Sequence, residues 1–130
     1  MSLDLTGVNK SVENLAINFQ VNYKKLDKAN SDGTNSPNFG LGLQPVYTMG
    51  AAQIGLRYEF ASLDLHKINK FDNTTIHSIS VAPGYKLTQS TLARVEYRID
   101  IASEKIFEDD KGAISKKNDQ AITAEFNYTF

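Results

Sequence analysis

Apolar and polar residues alternate with a period of two along most of the chain. The clearest stretch is Thr91–Ala102, where the apolar residues Ala93, Val95, Tyr97, Ile99 and Ile101 alternate with Arg94, Glu96, Arg98 and Asp100. Such alternation predicts a β-strand that has one apolar and one polar face. No helical period of 3.6 residues competes with it.

Six stretches of this kind follow one another, and each has roughly the 10 residues that a strand needs to cross a bilayer at a tilt. The segment Leu3–Val8 is compatible with the end of a further strand. Pro45 and Pro83 fall inside two stretches, where a residue without an amide hydrogen indicates a sheet edge or a bulge. The predicted strands are Leu15–Lys24, Phe39–Met49, Ala52–Phe60, Ile76–Leu87, Thr91–Ala102 and Gln120–Phe130.

The connections between these strands alternate between long and short. Two are short turns, Gly50-Ala51 and Thr88–Ser90, and three are long polar loops, Lys25–Asn38, Lys67–Thr75 and Ser103–Asp119. In an antiparallel meander, both turns lie at one end of the sheet and all three loops at the other. This asymmetry is typical of outer-membrane barrels, which have short periplasmic turns and long external loops.

The charged side chains of the strands share the face that is not apolar. An Arg or Lys at the lipid midplane costs about 2–4 kcal/mol, so this face must meet water. A hairpin centred near Gln89 places Gly84 opposite Arg94 and Ser80 opposite Arg98, so small residues leave room for long ones. We therefore predict a wet lumen lined by Arg57, Glu59, Arg94, Glu96, Arg98, Asp100 and Glu125, with Glu125 as the partner of Arg94, Arg98 or both.

The opposite face is predicted to meet lipid or a hydrophobic partner. Its aromatic residues fall near strand ends, where barrels carry one girdle at each membrane interface, although strands favour aromatic residues in any case. Outward-facing positions are predicted at Ile17, Phe19, Leu41, Leu56, Val95, Ile99 and Phe126. The girdles would be Tyr47, Tyr85, Tyr128 and Phe130 on the short-turn side, and Tyr23, Phe39, Tyr58 and Phe60 on the long-loop side.

Composition narrows the class of protein. The 130 residues allow one domain at most, and a net charge of −1 gives no basic surface for nucleic acid. The chain contains no run of 18 apolar residues, so it is not predicted to have a spanning helix. A spanning barrel is still compatible with the sequence, because its strands alternate between an apolar and a polar face. There is no cysteine for a disulfide framework or a thiolate metal site. The N-terminus lacks the basic and apolar regions of an export signal, so we expect a fragment or a processed chain.

Candidate catalytic residues are few. Asp64 and His66 would share a face, but the facing acid pair that surface barrel proteases use is missing from the strands. His77 is followed two residues later by Ile79, whereas barrel phospholipases need a serine there. Residues Glu108–Asp110 lack the spacing of a calcium loop. We therefore predict no catalytic site, no metal and no cofactor, and the protein is not expected to be an enzyme.

Two segments resemble known proteins. The last ten residues, 121–130, resemble the terminal strand of outer-membrane barrels, which alternates apolar positions and ends on an aromatic residue. Phe126, Tyr128 and Phe130 match that pattern, and the resemblance implies that barrel-assembly machinery reads this strand. Ala82–Arg98 resembles the OmpL-like β-barrel porin family, with a Tyr-x-Leu-Thr turn followed by an Arg-x-Glu-Tyr-Arg strand.

The porin resemblance covers residues 76–130 well and 39–60 loosely. Such porins carry about a dozen strands or more, so it implies either a single barrel domain over 1–130 or the C-terminal part of a larger barrel that further strands or chains close. It also implies a bacterial outer membrane, with the lipid bilayer as partner and passive diffusion of small hydrophilic solutes as function.

The predicted fold class is thus all-β, an antiparallel up-and-down meander of about six strands forming part or all of a transmembrane barrel. Two other functions stay open beside the porin. One is a small closed membrane barrel with an adhesive or structural role. The other is a soluble lipocalin-like binder with an apolar interior, which would leave the Arg and Glu ladders outside in water.

Overall fold

Seven β-strands form one antiparallel sheet. The computed structural model describes residues 2–26, 36–63 and 74–128. The sheet order is β1-β2-β3-β4-β5-β6-β9, so each strand pairs with its predecessor and β9 pairs with β6. No helix in these ranges is long and apolar enough to span a membrane. The strands are β1 (Ser2–Val12), β2 (Leu15–Leu26), β3 (Ser36–Met49), β4 (Ala52–Leu63), β5 (Thr74–Lys86), β6 (Thr91–Ala102) and β9 (Asn118–Tyr128), with a separate hairpin of β7 (Phe107–Glu108) and β8 (Ile114–Lys116).

The antiparallel meander confirms the predicted fold class, and it contains one strand more than the six that were predicted. The segment Leu3–Val8 is part of β1, which pairs with β2 from Ser2 opposite Lys24 onward. A turn at Glu13-Asn14 joins the two strands, and Asn14 has a φ of 63°, a left-handed conformation that Asn tolerates better than most residues.

Short turns lie at one end of the sheet, as predicted. Gly50-Ala51 joins β3 to β4, and Leu87–Ser90 joins β5 to β6, where the Leu87 amide donates to the Thr91 carbonyl at 2.9 Å. Tyr128 lies opposite Thr91 and so belongs to this end. Phe130 itself lies outside the described residues.

The strand ends that lead into the long connections lie at the opposite end, also as predicted. Most of the first two loops lies outside the described residues, although β2 and β3 extend to Leu26 and from Ser36, and β5 begins at Thr74. The prediction of a plain loop over Ser103–Asp119 is wrong. Within it, β7 and β8 form a hairpin, and β9 begins at Asn118.

Pro45 and Pro83 mark neither an edge nor a bulge, so that expectation is wrong. Pro45 lies opposite Ile17 of β2, and Pro83 lies opposite Ile54 of β4, in interior strands. On the other side of each proline, two ladder pairs are missing, but the same register resumes beyond the gap. Each strand therefore accommodates the missing amide hydrogen by a local interruption of one ladder only.

Burial in this sheet is inverted relative to a water-soluble domain. The most buried side chains are small or polar and lie on the polar face, among them Ser78, Ser80 and Ala82. The apolar face is open: Phe126 is 74% exposed and Leu56 is 53% exposed. All seven residues predicted to point outward lie on this face, where Ile17 and Ile99 are half-buried and the others are exposed.

Candidate functional site: the polar face of the sheet

Registered strand pairing brings the polar side chains of six strands into cross-strand rows. One row is complete in the pairing of β2 to β9, and each member lies directly opposite the next. Because neighbours in such a row have Cβ atoms about 4.5–5.5 Å apart, their side chains interact directly. The row consists of Gln20, Gly42, Glu59, Ser78, Asp100 and Asp119.

A network of ion pairs covers the face from β4 to β9. Arg57 of β4 pairs with Glu96 of β6, and its Nε lies 3.8 Å from Glu59 Oε2. Arg94 pairs with Glu125 of β9, the partner that the sequence predicted. Arg98 instead pairs with Asp100 of its own strand, Nε to Oδ1 at 2.8 Å. All seven residues predicted to line a lumen therefore lie on one face, where they form three groups of ion pairs.

The Arg57–Glu96 pair crosses an entire strand. Ser80 and Ala82 of β5 lie between the two partners, and both are buried beneath them. The predicted opposition of small and long residues is confirmed where the pairing resolves it, with Gly84 opposite Arg94 and Ser80 opposite Arg98. Arg98 Nη2 also donates to Ser78 Oγ at 3.3 Å. Small residues on β5 thus leave room for the Arg57–Glu96 pair and for the side chains of Arg94 and Arg98.

A different chemistry occupies β2 and β3. Their central polar-face positions carry amides or glycine rather than charges, and the Gln20 amide nitrogen donates to Asn22 Oδ1 at 3.1 Å. Gly40 and Gly42 lie opposite these two residues. Where the polar face of β2 and β3 meets the ion pairs of β4 to β6, it has a concavity of about 270 Å³. The lining of this concavity includes Gln20, Asn22, Gly40, Gly42, Glu59, Ser78 and Arg98.

Aromatic side chains gather at two levels of the apolar face. At the long-loop end, the rings of Phe39 and Phe60 have centroids 6.2 Å apart, and His77 lies 5.2 Å from Phe60. Tyr58 Oη and His77 Nδ1 share a hydrogen bond of 2.8 Å. The predicted aromatic level did not include His77. Its place in the alternation, two residues before Ile79, could have assigned it to the apolar face, where it lies opposite Phe60.

At the short-turn end, Tyr47, Tyr85 and Tyr128 are all exposed on the apolar face. Tyr23 lies opposite Phe39 at the other level. Membrane barrels carry aromatic residues at both edges of their apolar band.

The candidate acids and histidines form no catalytic constellation in the described residues. His66 and Asp64 lie outside those residues, and His77 bonds to a tyrosine on the apolar face. No group of three or more metal-ligating side chains occurs within the ranges that the structure covers.

The acidic run Glu108–Asp110 has a structural role in the β7–β8 hairpin. Asp109 Oδ1 accepts hydrogen bonds from the amides of Lys111 and Ala113, both at 2.9 Å, and Oδ2 accepts one from Ser115. These donors, the Ala113 amide first, lower the pKa of Asp109. Asp110 pairs with Lys116 at 2.8 Å. The carboxylates of Asp109 and Asp110 therefore make their contacts within the hairpin.

Comparison with known proteins agrees with this geometry. No match is found among curated proteins or among solved structures. A family model described as "Putative beta-barrel porin-2, OmpL-like" matches residues 1–130, the whole chain. An amphipathic antiparallel meander with an open apolar face and an ion-paired polar face is what such a family requires. The chain belongs to the OmpL-like β-barrel porin family.

Proposed function

We propose that the protein forms part of a β-barrel in the bacterial outer membrane, through which small hydrophilic solutes diffuse passively. The observation that carries this proposal is the inverted burial of the sheet. Large apolar side chains are exposed across one face, whereas charged residues pair on the other. Water would not stabilise an apolar face of this extent, but lipid does.

The same observation speaks against a soluble lipocalin-like binder. Such a binder holds its ligand in an apolar interior and presents its charges outside. Here the apolar side chains are the exposed ones, with Ile122 at 76%, and the side chain of Glu96 is only 16% exposed.

In the proposed pore, Arg57, Arg94 and Arg98 line the lumen together with Glu59, Glu96, Asp100 and Glu125. Cations and carboxylates alternate and pair locally, so this wall presents no large region of a single sign. Pore selectivity depends on the charges that line it, and a locally compensated wall gives weak selectivity. We propose no enzymatic activity for the protein.

Closure of the proposed barrel needs strands beyond these seven. β1 begins and β9 begins at the long-loop end, so the two edge strands run in the same direction. Joining them, within a chain or between equally oriented copies, would make a parallel pair. Bacterial barrels are antiparallel throughout, so we propose that the β9 edge receives a strand running from the short-turn end to the long-loop end.

The other proposed partners are the lipid bilayer and the barrel-assembly machinery. Phe126 and Tyr128 project from the exposed apolar face of β9, an edge strand of the sheet. We propose that they form the assembly signal together with Phe130. No nucleic acid is proposed as a partner.

Conductance tests the proposed function directly. Reconstituted into planar bilayers, the complete assembly should form ion-conducting pores. Replacing both Arg94 and Arg98 by Glu should leave it foldable, because the lumen is wet, and should shift its selectivity toward cations. As a matched control, Lys105→Glu with Lys111→Glu makes the same charge change in the β6–β9 connection and should shift selectivity much less.

Two results would contradict the proposal. Unchanged selectivity in the Arg94→Glu, Arg98→Glu protein would show that these residues do not line a pore. Membrane insertion without conductance would favour the small closed barrel with an adhesive or structural role.

A further inference from the structure

The polar face is divided into two chemically distinct halves. From β4 to β9 it carries the ion pairs, whereas on β2 and β3 its central positions are uncharged: Asn18, Gln20, Asn22, Gly40, Gly42 and Gln44. A solute in the proposed lumen would therefore meet amides along one half of this wall and charges along the other.

The concavity of about 270 Å³ lies where the two halves meet. Its two charged lining residues have partners within the protein. Arg98 donates to Asp100 and Ser78, and Glu59 lies 3.8 Å from Arg57. The charges of Glu59 and Arg98 are also opposite in sign, so the concavity gives a bound ion of either sign little net attraction.

Its amides retain hydrogen-bonding capacity. Gln20 and Asn22 together have four N–H donors and two carbonyl acceptors, and the bond between them uses one donor and one of several lone pairs. Groups that both donate and accept within one concavity match hydroxyl groups, because each hydroxyl also donates and accepts.

Glycine gives this concavity its depth. A Cβ atom built on Gly42 would lie 3.8 Å from Gln20 Cβ and 3.9 Å from Glu59 Cγ, which is ordinary contact. A Cβ on Gly40 would approach Asn22 Nδ2 to 3.5 Å. In contrast, one on Gly84 would lie 3.1 Å from Gln53 Cγ. Packing therefore requires glycine at position 84 more than at positions 40 and 42, where the missing side chains leave open space.

We propose that this concavity is a binding subsite for an uncharged, polyhydroxylated solute of monosaccharide size, an inference that rests on the proposed pore. Its volume is close to the lower end of small-ligand pockets, about 300 Å³, which excludes a larger ligand from full enclosure. The subsite favours neutral sugars over ions because its own charges are compensated and its amides supply both donors and acceptors.

The test uses the full chain folded in lauryldimethylamine oxide, a detergent without a sugar headgroup. Titration with D-glucose, followed by calorimetry and by NMR of the Gln20 and Asn22 side-chain amides, should give saturable binding. Gluconate has a similar size but carries a charge, and it should bind about tenfold more weakly. Gln20→Ala should weaken glucose binding about tenfold, the usual worth of one lost hydrogen bond to a bound polar group.

Two further variants separate the subsite from general effects on the fold. Gly42→Val should fill the concavity and abolish glucose binding while circular dichroism shows an intact sheet. Gln53→Ala removes the same type of side chain from the same face outside the concavity, and it should bind glucose like the parent protein.

Three results would overturn the subsite: no glucose-dependent signal in the folded protein, equal binding of gluconate, or equal weakening by Gln53→Ala and Gln20→Ala. Its failure is distinguishable from failure of the proposed function. Conductance without glucose binding would leave the pore standing and remove the subsite. Glucose binding without conductance would leave the binding subsite standing and remove the pore.

Discussion

At the scale of single residues, the small side chains of β5 let charged residues of β4 and β6 meet. Arg57 and Glu96 reach each other only because Ser80 and Ala82 are short. An ion pair that remains in contact with water contributes little by itself, typically about 0.2–1 kcal/mol. The packing beneath it contributes more, because a buried small residue cannot become larger without moving its neighbours.

We predict that Ala82→Leu destabilises the protein by about 1–3 kcal/mol, the usual cost of overpacking a filled site. Ala82 is 4% exposed and lies beneath the Arg57–Glu96 pair. Urea unfolding from detergent micelles measures the change. Ala124→Leu is the control, because Ala124 is exposed on the apolar face and should accept the larger side chain at little cost. Equal effects of both substitutions would contradict this role of β5.

The sequence predicted part of this network and missed part of it, for a physical reason. The short turn at Leu87–Ser90 fixes the β5–β6 register, so Gly84 opposite Arg94 follows from counting residues. The connection from β6 to β9 is long, so the register of Glu125 was open between Arg94 and Arg98. The Arg57–Glu96 pair skips a strand, and a rule based on adjacent neighbours does not reach it.

At the scale of elements, alternation predicted every strand in which one face is consistently apolar. It did not resolve β1, because Gly7 interrupts the apolar set and Val8 falls on the polar side, opposite Asn18. The ring of Phe19 covers Gly7 and completes the apolar face across the strand pair. A register shift between Asn9 and Val12 further breaks the period. These are tertiary compensations that a single-strand pattern does not contain.

The β3–β4 turn gives a direct test of backbone strain. Gly50 has a φ of 59°, and a Cβ there would have nothing within 4 Å, so only the backbone conformation opposes a side chain. Gly50→Ala should cost about 1–2 kcal/mol, and Gly50→Asn less, because Asn tolerates left-handed geometry. The free energy of unfolding in detergent measures both. Gly42→Ala is the control and should be nearly neutral. If Ala and Asn cost the same at position 50, left-handed strain is not the cause.

The β7–β8 hairpin should depend on pH through Asp109. Its lowered pKa shows that the folded hairpin favours the carboxylate, chiefly through the Ala113 amide. That contribution is complete above the pKa of Asp109 in the unfolded loop and is lost as pH falls through its pKa in the folded hairpin. Acidification should therefore lower the protection of the Ala113 amide against hydrogen exchange, which NMR measures relative to the intrinsic exchange rate at each pH.

Asp109→Asn is the matching control for this titration. It removes the ionisable group, so the extra pH dependence at Ala113 should disappear. Asp110→Asn removes only the exposed pair with Lys116 and should leave that dependence in place. Persistence of the acid transition in Asp109→Asn would assign it to another group.

At the scale of the whole molecule, the sequence predicted which face of the sheet is apolar and which is charged, because charge patterning decides that question strand by strand. Each of Arg57, Arg94 and Arg98 falls on the same side as its polar neighbours, so one energetic rule fixes the orientation of the whole sheet. Closure is different. It depends on how the edges β1 and β9 are covered, and alternation within a strand is the same whether its edge is paired or free.

The direction of the edge strands yields a last prediction. Because β1 and β9 run the same way, antiparallel closure requires a strand between them. The chain has no cysteine, so single cysteines can be introduced cleanly. A cysteine at Leu5 of β1, combined in turn with one at Asn118, Ile122 or Phe126 of β9, should not react with a short bis-maleimide in detergent-folded protein. The control pair Val95→Cys with Ala124→Cys joins directly opposed residues of β6 and β9 and should cross-link efficiently.

An intrachain β1–β9 link would instead indicate a seven-stranded barrel closed by a parallel seam. Such a barrel is too narrow for a solute channel and is consistent with the structural or adhesive alternative. A link between chains would indicate a barrel assembled from copies with parallel seams. Either link would refute closure by an antiparallel strand, whereas reaction of the control alone would support it.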